Sequence, residues 1–545
     1  MGFETVLTQE YIERYQSYWP NHTILDYLND AIEKYPNKVA IIDKKSRYTY
    51  KELGKLVDRV ALGLMDLGLG KGDVISVQLP NWNEFVILHY AITRIGAIIN
   101  PLIPIYRDRE IGYMVGLVES KMIVVPDQFR NFNYPDMINR LEHKWPALEH
   151  VYVIGEQVPT GMKSFSSLLE VPWEERKDPA LLDEIIHDPN DLTQIVFTSG
   201  TTGDPKGVMH THNTLCIAAE SWINRLGLNE DDVVHMGSTF AHQTGFIYGV
   251  RVPTHIGGTG IYQDIWDPRE FIELVEKEKI SQTAGATPFL KDILSLEGIE
   301  NYDLTSLQIY GAFGAPIPRA LVKDARERLP FTILAGWGQT ENALVTVTKL
   351  DDSEEKLVGS EGIPFPGMEV KIVDENGDPC PPYQEGNLLC KGPFHFVGYL
   401  KRIEETRMEF KDDWFITGDR AIMDEDGYIR ISGRSKDIII RGGENIPVAY
   451  VENVLYEHPD ISDAQIIAMP DLRLQEKACA FVSMKPGKNP LTLKTLQEFF
   501  AEKGVAKQYW PEHVEVIDEF PRTPSGKIQK NRLRERIRGA SVIEK

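Results

Sequence analysis

The chain has 545 residues, 42% hydrophobic and 26% charged, which describes a globular protein long enough for two or more domains with a sizeable core. Its formal charge is −22, and the whole acidic excess precedes Asp437: 43 basic and 65 acidic residues lie before that point, and 16 of each from it onward. Such a surface repels nucleic acid and anionic membrane, so any phosphate-bearing ligand has to be held by local donors.

The start, Met1-Gly2-Phe3-Glu4-Thr5-Val6, is no secretory signal, and Val6 stands where a myristoylation signal needs Ser or Thr. A strand-like run, Val74 to Leu79, precedes a helical pattern from Asn83 to Ile95. Further strands are expected at Met122 to Val125 and Ile195 to Phe197, followed by Leu215, Ala218, Ala219, Trp222 and Leu226 at helical spacing. This alternation predicts an α/β fold of layered subdomains with largely parallel sheets. The most apolar window, Ile95 to Tyr106, is about half the length of a membrane span and contains Pro101 and Pro104, so no bilayer crossing is expected. Cys216, Cys380, Cys390 and Cys479 have no CxxC or zinc spacing and read as buried apolar residues of a reducing compartment; a cytoplasmic location is expected.

Near Gly386 to Ile431, turns such as Glu375-Asn376-Gly377-Asp378 and Asp424-Glu425-Asp426-Gly427 separate alternating strands, which predicts a small antiparallel subdomain. The composition changes at Gly433-Arg434-Ser435-Lys436. Beyond it are predicted a strand (Asp437 to Ile440), a Gly442-Gly443 turn, and a helix opened by Pro447 with Val448, Val451 and Leu455 on one face. Strands at Gln465 to Met469 and Ala480 to Ser483, a helix from Leu493 to Lys503 ended by Gly504, and a strand from His513 to Ile517 follow. The expected organisation is a large domain over 1–432, a hinge at 433–436 and a mobile α+β domain over 437–545.

The chemistry is concentrated in a few segments. Phe197-Thr198-Ser199-Gly200-Thr201-Thr202-Gly203-Asp204-Pro205-Lys206-Gly207 packs glycines, hydroxyls and one lysine behind a buried strand: glycines let backbone N–H groups turn inward, hydroxyls add donors, and Lys206 adds positive charge against a polyphosphate. It is not a Walker loop, because Lys206 precedes Gly207 and no Ser or Thr follows. Gly336-Trp337-Gly338-Gln339-Thr340-Glu341 sets an aromatic face, a hydroxyl and a carboxylate side by side. Trp414-Phe415-Ile416-Thr417-Gly418-Asp419 ends an apolar strand on an acid suited to ribose hydroxyls, and Pro521-Arg522-Thr523-Pro524-Ser525-Gly526-Lys527-Ile528 puts one lysine on a tight turn.

In this order, over nearly the whole chain, these segments resemble the motifs of the adenylate-forming superfamily, which includes acyl-CoA synthetases, firefly-type luciferases and peptide-synthetase adenylation domains. The Ser238 to Phe246 segment is most similar to the cyclohexanecarboxylate and medium-chain acid:CoA ligases. The resemblance implies a two-step reaction using ATP, Mg²⁺ and coenzyme A: a carboxylate attacks the α-phosphorus to give an acyl-adenylate and pyrophosphate, and the thiol of coenzyme A then displaces AMP. It implies that Thr198, Ser199, Gly200, Thr201, Thr202, Gly203 and Lys206 hold phosphates, that Gly314, Ala315, Pro316 and Trp337 with Gly338 enclose adenine, and that Thr340 touches the α-phosphate. Glu341 would bind Mg²⁺, Asp419 and Arg434 the ribose, and Lys527 would be the adenylation lysine. Lys436 would be the hinge residue, with Gly442 and Gly443 lining the pantetheine tunnel.

Each role has a plain rival: Trp337 as a core aromatic, Asp419 as a turn residue, Lys527 and Arg434 as surface cations, Glu341 as a helix cap, Gly442-Gly443 as a hairpin turn, His242 as a core histidine. The acid site would be built from His242, Gly311, Ala312, Phe313 and Gly336. Between Ser238 and Gly249 there is no Asp, Glu, Lys or Arg, which speaks against an amino-acid substrate, since a buried unpaired ammonium is costly. An apolar acid follows, and Phe313 is expected to close the pocket to long chains. Acyl transfer to a carrier-protein thiol and a nucleotide-binding regulator without the reaction are the alternatives; a homodimer is left open.

Overall fold

The computed structural model describes residues 3–198, 204–315, 317–435, 439–441, 444–446, 448–471, 473–505, 507–523 and 526–543. Among them, the fold is the expected layered α/β arrangement. A nine-stranded sheet has a parallel centre in the order Val39–Ile42, Thr259–Tyr262, Val233–Met236, Gln282–Gly285, Ile309–Ala312, Thr332–Gln339. Antiparallel Ala343–Val347 and Ile363–Pro364 close one edge and Arg47–Thr49 the other. An eight-stranded sheet centres on parallel Leu192–Phe197, Ile98–Pro101, Val74–Val77, Met122–Pro126 and His150–Ile154. The four residues of Val74–Val77 are all buried, as a strand covered on both faces requires, which is why the run reads as continuously apolar.

Helices cover these sheets, and the one that matters most for the site is His212–Leu226. Thr211 caps it by accepting from the Thr214 N–H at 3.3 Å, and Gly227 ends it at φ +67°, a left-handed conformation that glycine adopts without cost. Its buried face carries Leu215, Cys216, Ala218, Ala219 and Trp222 into the main core with Phe240, Phe246, Tyr248 and Phe313. Cys216, Cys390 and Cys479 are buried as expected, whereas Cys380 is only partly covered. No helix among the described residues is long and apolar enough to cross a membrane.

The antiparallel subdomain is wider than predicted, combining Glu369–Val373, Gly386–Lys391, Phe410–Lys411, Trp414–Met423 and Ile429–Arg434. Gly433 and Arg434 still belong to its last strand, in register with Arg420 and Asp419, so the sheet's pairing continues into the segment read as the hinge. Lys436 lies outside the described residues.

The C-terminal domain has its own core of Ile439, Val451, Leu455, Ile466, Ala480, Leu496 and Phe500. Its sheet runs Glu444–Ile446, Ile439–Arg441, Gln475–Met484, Ile461–Asp471, with His513–Val516 pairing parallel to Gln475–Met484. A last helix, Lys530–Ile543, was not anticipated: Arg532, Arg534, Arg536 and Arg538 dilute its apolar pattern, while Leu533 and Ile537 join a small cluster with Ile467 and Phe481.

Candidate active site

The phosphate-loop residues Ser199, Gly200, Thr201, Thr202 and Gly203 lie outside the described residues, but both ends of their loop are in place. Strand Leu192–Phe197 pairs antiparallel with Gly207–Thr211. The Thr198 N–H donates to the Lys206 carbonyl at 3.0 Å, and the Lys206 N–H to Thr198 Oγ1 at 3.3 Å. The Lys206 ammonium sits 3.1 Å from Glu409 and 3.5 Å from Glu405, over the Tyr399 ring at 4.4 Å. Tyr399 in turn donates its hydroxyl to Glu341 at 3.0 Å.

Glu341 follows strand Thr332–Gln339 in a turn, and the next element is strand Ala343–Val347, so there is no helix for it to cap. Burial raises its pKa, and the Glu409 charge pushes the same way. Among the described residues no group of three or more His, Cys, Asp or Glu could hold a metal ion. A lone carboxylate fits Mg²⁺ better than most cations, because that ion keeps its waters and takes most other ligands from substrate phosphates. Beside Glu341, His210 donates from Nε2 to the Thr340 carbonyl at 2.8 Å; burial lowers its pKa to about 4, so this ring is a neutral positioning group.

Asp419 is the hub of the nucleotide half. Its Oδ2 accepts from the Trp337 indole at 2.9 Å and from Gln339 Nε2 at 3.0 Å, and its Oδ1 from Arg434 Nε at 3.1 Å. Trp337 is thus neither a free aromatic nor a plain core residue: its N–H is tied to the acid beside it. Gly338 has no substitute, since a Cβ there would stand 1.8 Å from the Ala343 carbonyl oxygen. Gly314, at φ +86°, and Ala315 leave the end of Ile309–Ala312, the strand next to Thr332–Gln339; Pro316 lies outside the described residues.

On the acid side, His242 Nδ1 accepts from the Thr244 N–H at 3.3 Å, and burial with the nearby Lys527 charge lowers its pKa to about 3, so it is neutral. The Phe313 ring packs edge-on against Trp222 (5.7 Å between centroids) and Tyr248 (5.3 Å). Gly311 leaves room for both: a Cβ there would meet Phe313 at 2.7 Å and Trp222 at 2.9 Å. Gly336 is pressed on the Thr346 carbonyl in the same way, at 2.8 Å. Ala312 departs from the expected grouping, because alternation along the strand places its methyl in the core cluster with Ile333 and Ala335, apart from the cluster of Phe313 and Trp222.

Lys527, half-buried, comes from the C-terminal domain to within electrostatic reach of Arg434, Asp419, Glu341 and His242. Burial and the Arg434 charge lower its pKa to about 8, against the opposing pull of Asp419 and Glu341. Its loop is a tight hairpin: the Thr523 N–H donates to the Lys527 carbonyl at 2.6 Å and the Lys527 N–H to Thr523 Oγ1 at 3.0 Å. The structure therefore gathers Lys206, Thr340, Glu341, Trp337, Asp419, Arg434, His242 and Lys527 from distant parts of the chain. Gly442 and Gly443 lie outside the described residues.

Sequence reasoning missed the groups that orient these side chains. Gln339 sits inside a recognised motif and could have been singled out. Tyr399, Glu405, Glu409 and His210 carry no local signal, since each acts on a partner more than fifty residues away. The same holds for Arg251, a fully buried guanidinium that donates to Gln194 Oε1, while Gln194 Nε2 donates to Gln243 Oε1 at 2.9 Å, tying the strand before the phosphate loop to the residue after His242.

Comparison with known proteins agrees with this geometry. A model of the family described as AMP-binding enzyme matches residues 28–400, and one for the AMP-binding enzyme C-terminal domain matches residues 450–527. The chain is 36% identical to a medium-chain fatty-acid–CoA ligase of Escherichia coli K12, covering 96% of this chain and 92% of that one. It is 31% identical to a 2,3-dihydroxybenzoate-AMP ligase of Bacillus subtilis 168, covering 95% and 94%. Among solved structures it resembles the anthranilate CoA ligase AuaEII in complex with anthranoyl-AMP, with a TM-score of 0.87, 25% identity, and coverage of 96% and 98%.

Proposed function

The chain belongs to the AMP-binding enzyme family, and we propose that within it the protein is an acid:CoA ligase for an apolar medium-chain or alicyclic acid. The family fixes the coarser statement: this is an AMP-forming ligase that works through an adenylate, with ATP, Mg²⁺ and coenzyme A. The observation that carries the finer reading is the Lys527 ammonium within reach of Asp419, Glu341 and Arg434 and beside neutral His242, whose segment from Ser238 to Gly249 holds no charged side chain.

In this reading, Thr198 and Lys206 anchor the β- and γ-phosphates, Lys206 exchanging its carboxylate partners for phosphate. Asp419 accepts from the ribose hydroxyls, with its orientation set by Trp337, Gln339 and Arg434. Glu341 would hold Mg²⁺, which would neutralise phosphate charge. Thr340, placed by His210, donates to the α-phosphate. The substrate carboxylate attacks the α-phosphorus and pyrophosphate leaves; negative charge gathers on the α-phosphoryl oxygens, where Lys527 stabilises it. The thiol of coenzyme A then displaces AMP, after the small domain has turned about Lys436 and brought Gly442 and Gly443 to the thiol's path.

A carrier-protein thiol in place of coenzyme A is the second reading, favoured by the likeness to the Bacillus AMP ligase. The deciding experiment is acid-dependent ATP–pyrophosphate exchange with hexanoate, cyclohexanecarboxylate, 2,3-dihydroxybenzoate and palmitate, followed by addition of coenzyme A or a phosphopantetheinyl carrier. Exchange with the first two acids and thioester formation on coenzyme A are expected. Preference for palmitate, or acyl transfer to the carrier alone, would refute the reading.

Asp419→Ala tests the nucleotide half. A hydrogen bond to a charged group contributes about 1.5–3 kcal/mol, so KM for ATP should rise by about 10- to 100-fold, with KM for the acid little changed. An unchanged KM for ATP would remove Asp419 from the ribose site.

A further inference from the structure

From a loop of the C-terminal domain, Lys527 comes within reach of the charges of Arg434, Asp419 and Glu341. Its position is set from a distance. Lys291, on the large-domain helix Thr287–Leu294, extends its ammonium across the domain boundary: it donates to the Ser462 carbonyl at 2.6 Å, to Ser462 Oγ at 3.0 Å, and to Asp463 Oδ2 at 2.7 Å. Asp463 Oδ2 also takes Arg522 Nη2 at 3.1 Å, and Arg522 Nη1 donates to the carbonyl of Gly526 at 2.9 Å, the residue before Lys527. On the same helix, Pro288 lies under Gly526, where a Cβ would come within 3.3 Å, and Gly526 has φ +82°. The path from the large domain to the Lys527 backbone is thus Lys291, Asp463, Arg522, Gly526, without a gap.

These groups are not ordinary surface pairs. The side chains of Lys291, Asp463 and Arg522 are 29%, 17% and 28% exposed, one carboxylate oxygen serves two cations, and Lys291 has three acceptors. Sharing and partial burial fix geometry in a way that an isolated exposed pair does not. Asp292, the neighbour of Lys291, feels the charges of Lys291 and Arg522 and accepts from the Trp266 indole at 2.9 Å.

We propose that Lys291, Asp463 and Arg522 are positioning residues, an ionic relay that docks the small domain in the one orientation that places Lys527 at the α-phosphate, and hence that the relay serves acyl-adenylate formation and not thioester formation. This rests on the reading of Lys527 as the adenylation lysine. None of the three is among the residues assigned to nucleotide or acid, so their removal should leave the large domain's site intact and change only how often Lys527 is in place.

The test measures the two half-reactions separately in the full-length enzyme: hexanoate-dependent ATP–pyrophosphate exchange, and hexanoyl-CoA formation from supplied hexanoyl-adenylate. Displacing a reacting group by about an ångström is costly, so Lys291→Met and Asp463→Asn should each lower exchange by about tenfold, leave KM for ATP and acid within about twofold, and leave thioester formation from the adenylate within about twofold. Lys291→Arg should recover most of the exchange. Lys527→Ala serves as the reference: if it leaves exchange intact, the role assigned to Lys527 is wrong. If Lys527→Ala abolishes exchange while Lys291→Met and Asp463→Asn leave it at the wild-type rate, or slow both half-reactions equally, the relay is refuted. Lys291 lies on the surface of the large domain, so its variants report even where Asp463→Asn impairs folding of the small domain.

Discussion

Lys527→Ala should lower acid-dependent ATP–pyrophosphate exchange by about 10²- to 10³-fold, the usual cost of removing one preorganised group from the place where transition-state charge develops. Thioester formation from supplied acyl-adenylate should stay within about twofold, because by then the α-phosphoryl transfer is complete. Equal loss in both steps would mean that the lysine maintains the cleft and does not take part in one reaction. The pH dependence provides an independent check. Burial and the Arg434 charge bring the free-enzyme pKa of Lys527 down to about 8 from the ordinary lysine range. The protonated form is the active one, present below that pKa and lost as pH rises through it. The kcat/KM for ATP, which reports groups of the free enzyme, should therefore fall above about pH 8. Lys527→Arg retains a cation at every accessible pH and should remove this falling limb even where the absolute rate drops, since a guanidinium has a different reach. A limb that stays near pH 8 in Lys527→Arg belongs to another group. His242 and His210 cannot supply it, because burial keeps both neutral well below that pH.

Much of this site is local in sequence and was legible for that reason. Glycines and hydroxyls after an apolar triplet, an aromatic, hydroxyl and acid in six residues, and a strand ending on Asp419 each announce chemistry within one segment. Element types followed wherever one periodicity dominated: Val74–Val77, Asn83–Arg94 and Leu493–Glu502 lie within the predicted runs, and Met122–Pro126 exceeds its run by one residue. What sequence does not carry is pairing over distance. Trp337 and Asp419 are 82 positions apart, yet the indole N–H of one fixes the carboxylate of the other. Lys291 and Asp463 are 172 apart. Nor does periodicity reveal a π-helix: Thr244–Arg251 is uniformly buried, so no polar face marks its pitch, and the wider turn carries Arg251 into the core toward Gln194. Ala312 and Phe313, adjacent in the segment that the resemblance assigns to the acid site, pack in different core clusters.

Acid size should be controlled by the aromatic floor, and Phe313→Ala is expected to give the largest change in specificity. The ring fills the space under Gly311, edge-on to Trp222 and Tyr248, and Trp222 is itself held from below by a hydrogen bond from its indole to Gln282 Oε1 at 3.2 Å. Removing the phenyl opens room for about three methylenes, each contributing about 0.8 kcal/mol on transfer from water, so kcat/KM for nonanoate relative to hexanoate should rise by about 50-fold. The gain should stop there, because Trp222, held by its bond to Gln282, becomes the new floor, and palmitate should remain poor. Truncating a buried Phe costs about 3–5 kcal/mol of stability, which Phe313→Leu reduces while still shortening the floor. The two variants should therefore rank together in chain-length preference and apart in thermal stability. If chain-length preference is unchanged in both, the acyl tail does not run toward Phe313, and the pocket must open elsewhere along the His242 segment.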